Sequence, residues 1–245
     1  MSRAKNDTRS FHFKQFSLNH HRSTMKTGTD AILLGVWTDA SEATKALDIG
    51  SGSGIISLFI AARSNANVTS IEIDTESVEE SSTNYSSSKF GNRMKVLNTD
   101  FVSYADSTDS KFDLIVSNPP FFTDDLHSPD LRKTKARHTD SLSFKQLCSG
   151  VSQLLKPDGK FTVVLPYSQY QGFCDIAREN KLFVFKKLLI FPRRGVEPNR
   201  INIEFRKAET LSRKKEFFII REENNKFTDQ YREILGEYYT SIPEQ

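Results

Sequence analysis

Short runs rich in β-branched and aliphatic residues recur through the middle of the chain, at Ala46–Ile49, Val68–Ile71, Lys95–Leu97, Phe112–Ser117 and Lys160–Leu165. Segments of helical periodicity separate them, at about Gly54–Arg63, Thr75–Ser88, Ser143–Leu155 and Tyr167–Asn180. Strand and helix in alternation predict parallel βαβ units. Lys156-Pro157-Asp158-Gly159 reads as the turn between the third of these helices and its strand. Upstream, the alternation Phe11 to Phe16 predicts one short strand, and Asp30 to Trp37 an apolar helix. Downstream the rhythm breaks. Leu182–Phe191 and Ile201–Arg206 follow each other with no helix between, which predicts an antiparallel pair at one sheet edge. A further extended run at Phe217–Arg221 and a helix near Thr228–Tyr239 complete the pattern. The expected fold is α/β and Rossmann-like: a mostly parallel seven-stranded sheet with an antiparallel edge and helices on both faces.

Composition narrows this picture little. At 245 residues, 37% hydrophobic and 27% charged, the chain suits a single globular domain spanning 1–245, with 1–37 as an N-terminal segment beside the site and 38–245 as the core. The longest apolar runs fall short of the roughly 20 residues a membrane helix needs, and no signal-peptide pattern follows Ser2–Asp7, so a cytoplasmic, monomeric protein is expected. Cys148 and Cys174 and the five histidines lack the clustered spacing of a disulfide framework or a metal site, so no metal is expected. A net charge of +3 says less than where the charges sit.

Candidate chemistry gathers at strand ends. Asp48-Ile49-Gly50-Ser51-Gly52-Ser53-Gly54 lies where the first strong strand meets a helix; small residues there let a ligand approach the backbone, and the helix start offers N–H groups. A tight strand-to-helix turn would need no more than this. Glu72 closes the next strand, where a carboxylate can accept from both ribose hydroxyls of a nucleoside, and Asp100 follows the third, within reach of an adenine amino group. The loop lacks the G-x-G-x-x-G spacing of dinucleotide enzymes, which favours S-adenosylmethionine over NAD.

Asn118-Pro119-Pro120-Phe121 stands at the mouth of the fourth strand, at the carboxyl edge where open α/β sheets bind ligands. An exocyclic adenine amine is a poor nucleophile because its lone pair is delocalised into the ring. The Asn118 side-chain oxygen and the Pro119 carbonyl, accepting from that amine, would turn the lone pair toward a sulfonium methyl. The prolines fix the carbonyl direction, and Phe121 and Phe122 can stack on a flat substrate. Basic residues flank the motif: Arg132, Lys133, Lys135 and Arg137 soon after it, and Arg193, Arg194 and Arg200 on the late connection. Such patches neutralise phosphates without reading sequence, and a solvated loop would look the same.

On these motifs, together with Phe13–Phe16, Met25–Asp30, Leu33–Trp37, Ala136–His138, Phe191–Arg193, Glu197–Arg200 and Glu204-Phe205, the chain resembles the bacterial tRNA1(Val) adenine-N6 methyltransferases over nearly its whole length. Members of that family modify adenosine 37, on the 3′ side of the anticodon. The resemblance implies that Lys26, Gly28, Thr29 and Asp30 lie near the methionine end of S-adenosylmethionine and that Asn118 to Phe121 hold the adenine. Two departures stand out: Phe121 where the family commonly has Tyr, and the segment Leu18–Arg22. A protein glutamine-N5 methyltransferase, whose side-chain amide poses the same lone-pair problem, a catalytically silent RNA-binding module and a DNA adenine methyltransferase are the competing readings.

Overall fold

The computed structural model describes residues 10–23, 28–120, 142–210 and 214–240. In chain order the elements are β1 (Phe11–His12), β2 (Ser17–Leu18), α1 (Thr29–Trp37), β3 (Lys45–Ile49), α2 (Ile55–Arg63), β4 (Asn67–Glu72), α3 (Thr75–Ser86), β5 (Met94–Asn98), α4 (Phe101–Ser107) and β6 (Phe112–Ser117). Then come α5 (Phe144–Leu154), β7 (Leu155–Pro166), α6 (Tyr170–Glu179), β8 (Phe183–Phe191), β9 (Arg200–Arg206), β10 (Lys214–Ile219) and α7 (Asp229–Gly236). Strands β3 to β10 form one sheet in the order β10-β8-β9-β7-β6-β3-β4-β5.

Every strand of that sheet is parallel to its neighbours except β9, which runs antiparallel to both β7 and β8. The expected seven strands are therefore eight. The late antiparallel pair is present, but it is not the edge. Beyond it β10 adds in parallel to β8, Lys214 opposite Lys186 through Ile219 opposite Phe191. Its inward Phe218, only 2% exposed, packs with Tyr231 of α7 and gives the added strand its reason to stay.

Side chains alternate across the sheet with the period of two that strands impose. Ala46 and Val68 face a layer built on α1, α2 and α7, whereas Leu47, Ile49, Ile115, Phe161, Val163 and Leu165 face α4, α5 and α6. The alternation slips between Val184 and Lys186 in β8 and, more widely, between Phe112 and Leu114, where Lys156 to Gly159 bulge out of β7 opposite Asp113. The Lys-Pro-Asp-Gly turn thus lies inside a strand instead of before it. Asp113 gathers the irregularity by accepting from Lys156 Nζ at 2.5 Å and from the Thr44 and Lys45 backbone at 3.0 and 2.8 Å.

Two further expectations change. Phe11 to Phe16 is a hairpin of two-residue strands, not one strand, because Phe13 and Phe16 both turn inward to meet Phe59 edge-on at 5.2 and 5.3 Å. The helix α4 was not expected at all. Its seven residues bury only Phe101 and Ala105, too few to leave a periodic signal. Helix starts are otherwise legible: Asp74, Asp100, Ser143 and Thr228 each accept from a backbone N–H of the first turn, and Ser143 with Gln146 completes a capping box. Among the described residues no helix is long and apolar enough to cross a membrane.

Candidate active site

All strands but β9 point their C-termini to one edge, so the sheet itself assembles the motifs in a row. Reading along that edge, Asp100 follows β5, Glu72 ends β4, the glycine loop follows β3 and Asn118 follows β6. Asp48 is fully buried under the loop, its Oδ2 accepting from Ser57 Oγ at 2.7 Å and Ser57 N at 3.2 Å. The chain of hydroxyls continues from Ser57 to Ser70 at 2.8 Å and from Ser70 to Tyr85 Oη at 2.7 Å. Its Oδ1 has no partner among the described residues. Burial raises the Asp48 carboxyl to about 7, the Ser57 donors opposing the shift and the charge of Glu72 adding to it. Such a group is poised to favour a cation placed against Oδ1.

Gly50, Gly52 and Gly54 all adopt positive φ, +73°, +52° and +84°. A Cβ on Gly50 or Gly52 would meet nothing within 4 Å, so both open onto space; one on Gly54 would stand 2.7 Å from Tyr85 Oη. The loop is held from below. Gly50 N and Ser51 N donate to Ile71 O at 2.9 and 3.2 Å, and Gly52 N donates to Glu72 Oε2 at 2.8 Å. Glu72 Oε1 accepts from Ile73 N and Asp74 N at 2.9 and 3.0 Å, which fixes the carboxylate at the strand end. Asp100 caps α4 through Ser103, whose donation holds the exposed carboxyl below the ordinary aspartate range. The open glycine face and the unpartnered Asp48 oxygen fit a cationic nucleoside cofactor.

Asn118 stands one residue past Ser117, which is level with Ile49 and donates through Oγ to Ile49 O at 3.0 Å. That bond ties the tetrapeptide to the glycine loop across two neighbouring strands. Asn118 Oδ1 is buried and has no partner among the described residues. Pro119 is buried and Pro120 exposed. Phe121, Phe122, Arg132, Lys133, Lys135, Arg137 and Lys26 lie outside the described residues.

Three residues of consequence carried no signal of their own in sequence. Glu80, 4% exposed, accepts from the backbone N–H groups of His21 and Arg22 at 2.8 and 2.9 Å, of Ser23 at 2.9 Å, and from the Ser23 hydroxyl. Burial works against the Glu80 anion, but these donors outweigh it and keep the carboxyl below the ordinary glutamate range. Asn84, one turn along α3, pairs with Asn19 in both directions at 2.9 Å and donates to Ser53 O at 2.8 Å. Together they bind the segment 19–23 to the glycine loop. Their spacing of four puts them on one helix face, but nothing local says that this face meets the N-terminal segment. Ile73, beside Glu72, is 61% exposed and offers an apolar surface for a flat ring.

Gly28 caps α1 with no side-chain hydrogen bond, Thr29 opens the helix, and Asp30 Oδ2 accepts from Arg200 Nε at 2.8 Å. An expected cofactor residue and an expected RNA residue thus meet in one ion pair. Arg194 is held by Glu222 through two bonds of 2.6 and 3.0 Å, so its charge is largely answered within the chain. Arg193 is exposed and lines a cavity of about 530 Å³ with Thr29, Arg221 and Phe227. Among the described residues no cluster of three His, Cys, Asp or Glu stands ready to hold a metal.

Comparison with known proteins agrees with this layout. The family model for the methyltransferase small domain matches residues 22–172. The crystal structure titled as a predicted O-methyltransferase of Agrobacterium tumefaciens superposes with a TM-score of 0.66 at 19% identity, covering 88% of this chain and all of the other, which establishes the shared fold. A tRNA1(Val) (adenine(37)-N6)-methyltransferase of Bacteroides fragilis is 39% identical over 95% of this chain and 98% of its own length. One of Parabacteroides distasonis is 35% identical over 95% and 98%. With near-complete coverage in both directions, the chain belongs to the tRNA1(Val) (adenine(37)-N6)-methyltransferase family.

Proposed function

We propose that the protein transfers a methyl group from S-adenosylmethionine to the exocyclic N6 of adenine in tRNA, at adenosine 37 of tRNA1(Val), acting as a single domain and a monomer in the cytoplasm. Family membership supports the reaction and the substrate. The observation that carries the chemistry is Asn118 Oδ1, buried, unpartnered among the described residues and tied through Ser117 to the loop beneath the cofactor face.

S-adenosylmethionine supplies a methyl group made electrophilic by its cationic sulfur. The residues that would hold it are Lys26, Gly28, Thr29, Asp30, Asp48, Gly50, Gly52, Glu72, Asp100 and Asn118. Glu72 would accept from the ribose hydroxyls, Asp100 would accept from the cofactor's adenine amine, and the buried Asp48 would supply negative potential for the cationic sulfur. Asn118 Oδ1 and the Pro119 carbonyl accept from the target N6 amine, so its lone pair is drawn out of conjugation and aimed at the methyl. Pro120 stiffens the turn, and Phe121 and Phe122 stack on the extruded base. An unpaired anticodon loop makes that extrusion inexpensive. Arg132, Lys133, Lys135, Arg137 and Arg193 supply positive charge that would neutralise RNA phosphates. Arg194 and Arg200, already ion-paired, shape the rim more than they add charge to it.

The test is incubation with S-adenosylmethionine and unmodified tRNA1(Val) transcript, then nuclease digestion and mass spectrometry of nucleosides. N6-methyladenosine should appear with the wild type. In Asn118→Ala turnover should fall by at least about a hundredfold while cofactor affinity stays within a few fold, as expected for a contact made to the reacting amine. Equal turnover in the variant removes Asn118 from the mechanism. Methylation of a protein glutamine in place of RNA replaces the substrate and keeps the fold.

A further inference from the structure

The edge that carries Asn118 continues past it onto β7, and there the chain places an aromatic pair that the reaction chemistry leaves unused. Ser117, the last residue of β6, is level with Val163, three residues before Pro166, where β7 ends. The next residue is Tyr167, 39% exposed, which opens a short 3-10 turn (Tyr167–Gln169) just past the carboxyl end of β7, the strand adjoining β6. Neighbouring strands are about 4.8 Å apart, so the chain leaves β7 for Tyr167 at the same carboxyl edge at which it leaves β6 for Asn118.

Its position is fixed from two sides. Tyr167 N donates to Asn199 O at 3.1 Å, which ties it to the connection bearing Arg193 and Arg200. Its ring lies parallel to that of Tyr170, 5° between planes and 6.3 Å between centroids. Tyr170 is held in turn by Lys187, whose Nζ donates to its Oη at 3.0 Å and sits 4.7 Å from the ring centroid. The parallel Tyr170 ring, itself held by Lys187, keeps the exposed Tyr167 ring in one orientation.

We propose that Tyr167, backed by Tyr170 and Lys187, is a stacking platform for the RNA base next to the target adenosine. Once the adenine leaves the stack, its neighbour loses a stacking partner, and an exposed aromatic face beside the catalytic mouth replaces it. Base stacking on an aromatic side chain tolerates any base, so the platform fixes the register of the strand without reading its sequence. The proposal rests on RNA being the substrate.

The experiment titrates the full-length protein into an anticodon stem-loop of tRNA1(Val) carrying 2-aminopurine on either side of the target, read by fluorescence without turnover. Wild type should quench the probe on one side. Tyr167→Ala should lose that quench and bind the RNA roughly five- to 150-fold more weakly, with S-adenosylmethionine affinity within twofold by calorimetry. Tyr167→Phe and Tyr167→Trp should restore binding to within about threefold, which a merely structural role of the hydroxyl or of the backbone would not give. Unchanged affinity and quench in Tyr167→Ala, with wild type methylating the RNA, overturns the platform alone. Wild type that binds and quenches without methylating overturns the substrate reading, and with it the platform as a device for presenting a target, leaving Tyr167 an RNA-stacking residue only. Wild type that does neither overturns both.

Discussion

Two alanine substitutions two residues apart should have opposite consequences, because Gly52 and Gly54 share a backbone conformation and differ in what surrounds them. Both lie at positive φ, where an L-residue costs about 1–2 kcal/mol. In Gly52→Ala nothing further is added, since the new methyl meets no atom within 4 Å. For a chain of this length that cost lowers Tm by roughly 2–4 °C. In Gly54→Ala the methyl enters the ring of Tyr85, which is 2% exposed and anchored through its hydroxyl to Ser70, so the ring cannot swing aside. Overpacking of that kind adds about 1–3 kcal/mol, for a total near 2–5 kcal/mol and a Tm lower by roughly 4–10 °C. Cofactor binding should invert the order. The Gly52 methyl fills the face assigned to the cofactor and should weaken S-adenosylmethionine by at least about tenfold, a loss far larger than its stability cost suggests. Gly54→Ala, whose methyl points into the core, should bind within a few fold while it remains folded. Differential scanning calorimetry without ligand, which avoids stabilisation by mass action, and isothermal titration calorimetry at a temperature where both variants are folded separate the two effects. Wild-type affinity in Gly52→Ala would refute the placement of the cofactor, and wild-type melting in Gly54→Ala would refute the steric argument at Tyr85.

The remaining predictions concern two buried carboxylates. Asp48, raised from 3.8 to about 7 mainly by burial, binds its proton more tightly folded than unfolded. Its contribution to stability is therefore full below about pH 4 and lost as pH rises through 7, with a slope of about 1 kcal/mol per pH unit between. Asp48→Asn should remove that slope, and cofactor binding to the wild type near pH 7 should release protons, because a cation beside Oδ1 favours the anion; calorimetry in buffers of different ionisation enthalpy that finds no proton release would sink the assignment. Glu80→Ala leaves three backbone donors of the segment 19–23 without their acceptor. It should cost about 3 kcal/mol or more and weaken S-adenosylmethionine by loosening the chain that leads into Gly28. A variant with wild-type melting and affinity would make that clamp incidental.

What could be read from sequence follows the range over which each feature is determined. Strands β3, β4 and β6 and the second half of β7 bury nearly every residue, whereas the edge strand β5 is only partly buried, and the chemical motifs sit at or just beside the strand ends. Asp48, Glu72, Asp100 and Asn118 were legible because a strand end and a polar residue are both local signals, and the parallel topology then carries them all to one edge without further instruction. The features that escaped depend on partners far away in the chain. The Phe217–Arg221 run shows only part of β10, whose start at Lys214 and place beside β8 are set by a long-range pairing. The Lys156–Gly159 excursion has the residues of a turn, and only the partner strand, through Asp113, makes it a bulge. Asp30 and Arg200 are separated by 170 positions, and either alone reads as a free charge at the rim. Glu80 and Asn84 look like the solvated face of an amphipathic helix until the segment 19–23 is laid across them. That last case bears on the departure at Leu18–Arg22. Glu80 grips 21–23 through backbone N–H groups and the Ser23 hydroxyl, and Asn84 grips Asn19 through its backbone alone. The clamp on 19–22 therefore does not depend on which side chains those positions carry, so a sequence that differs there can still be held against α3 in the same way.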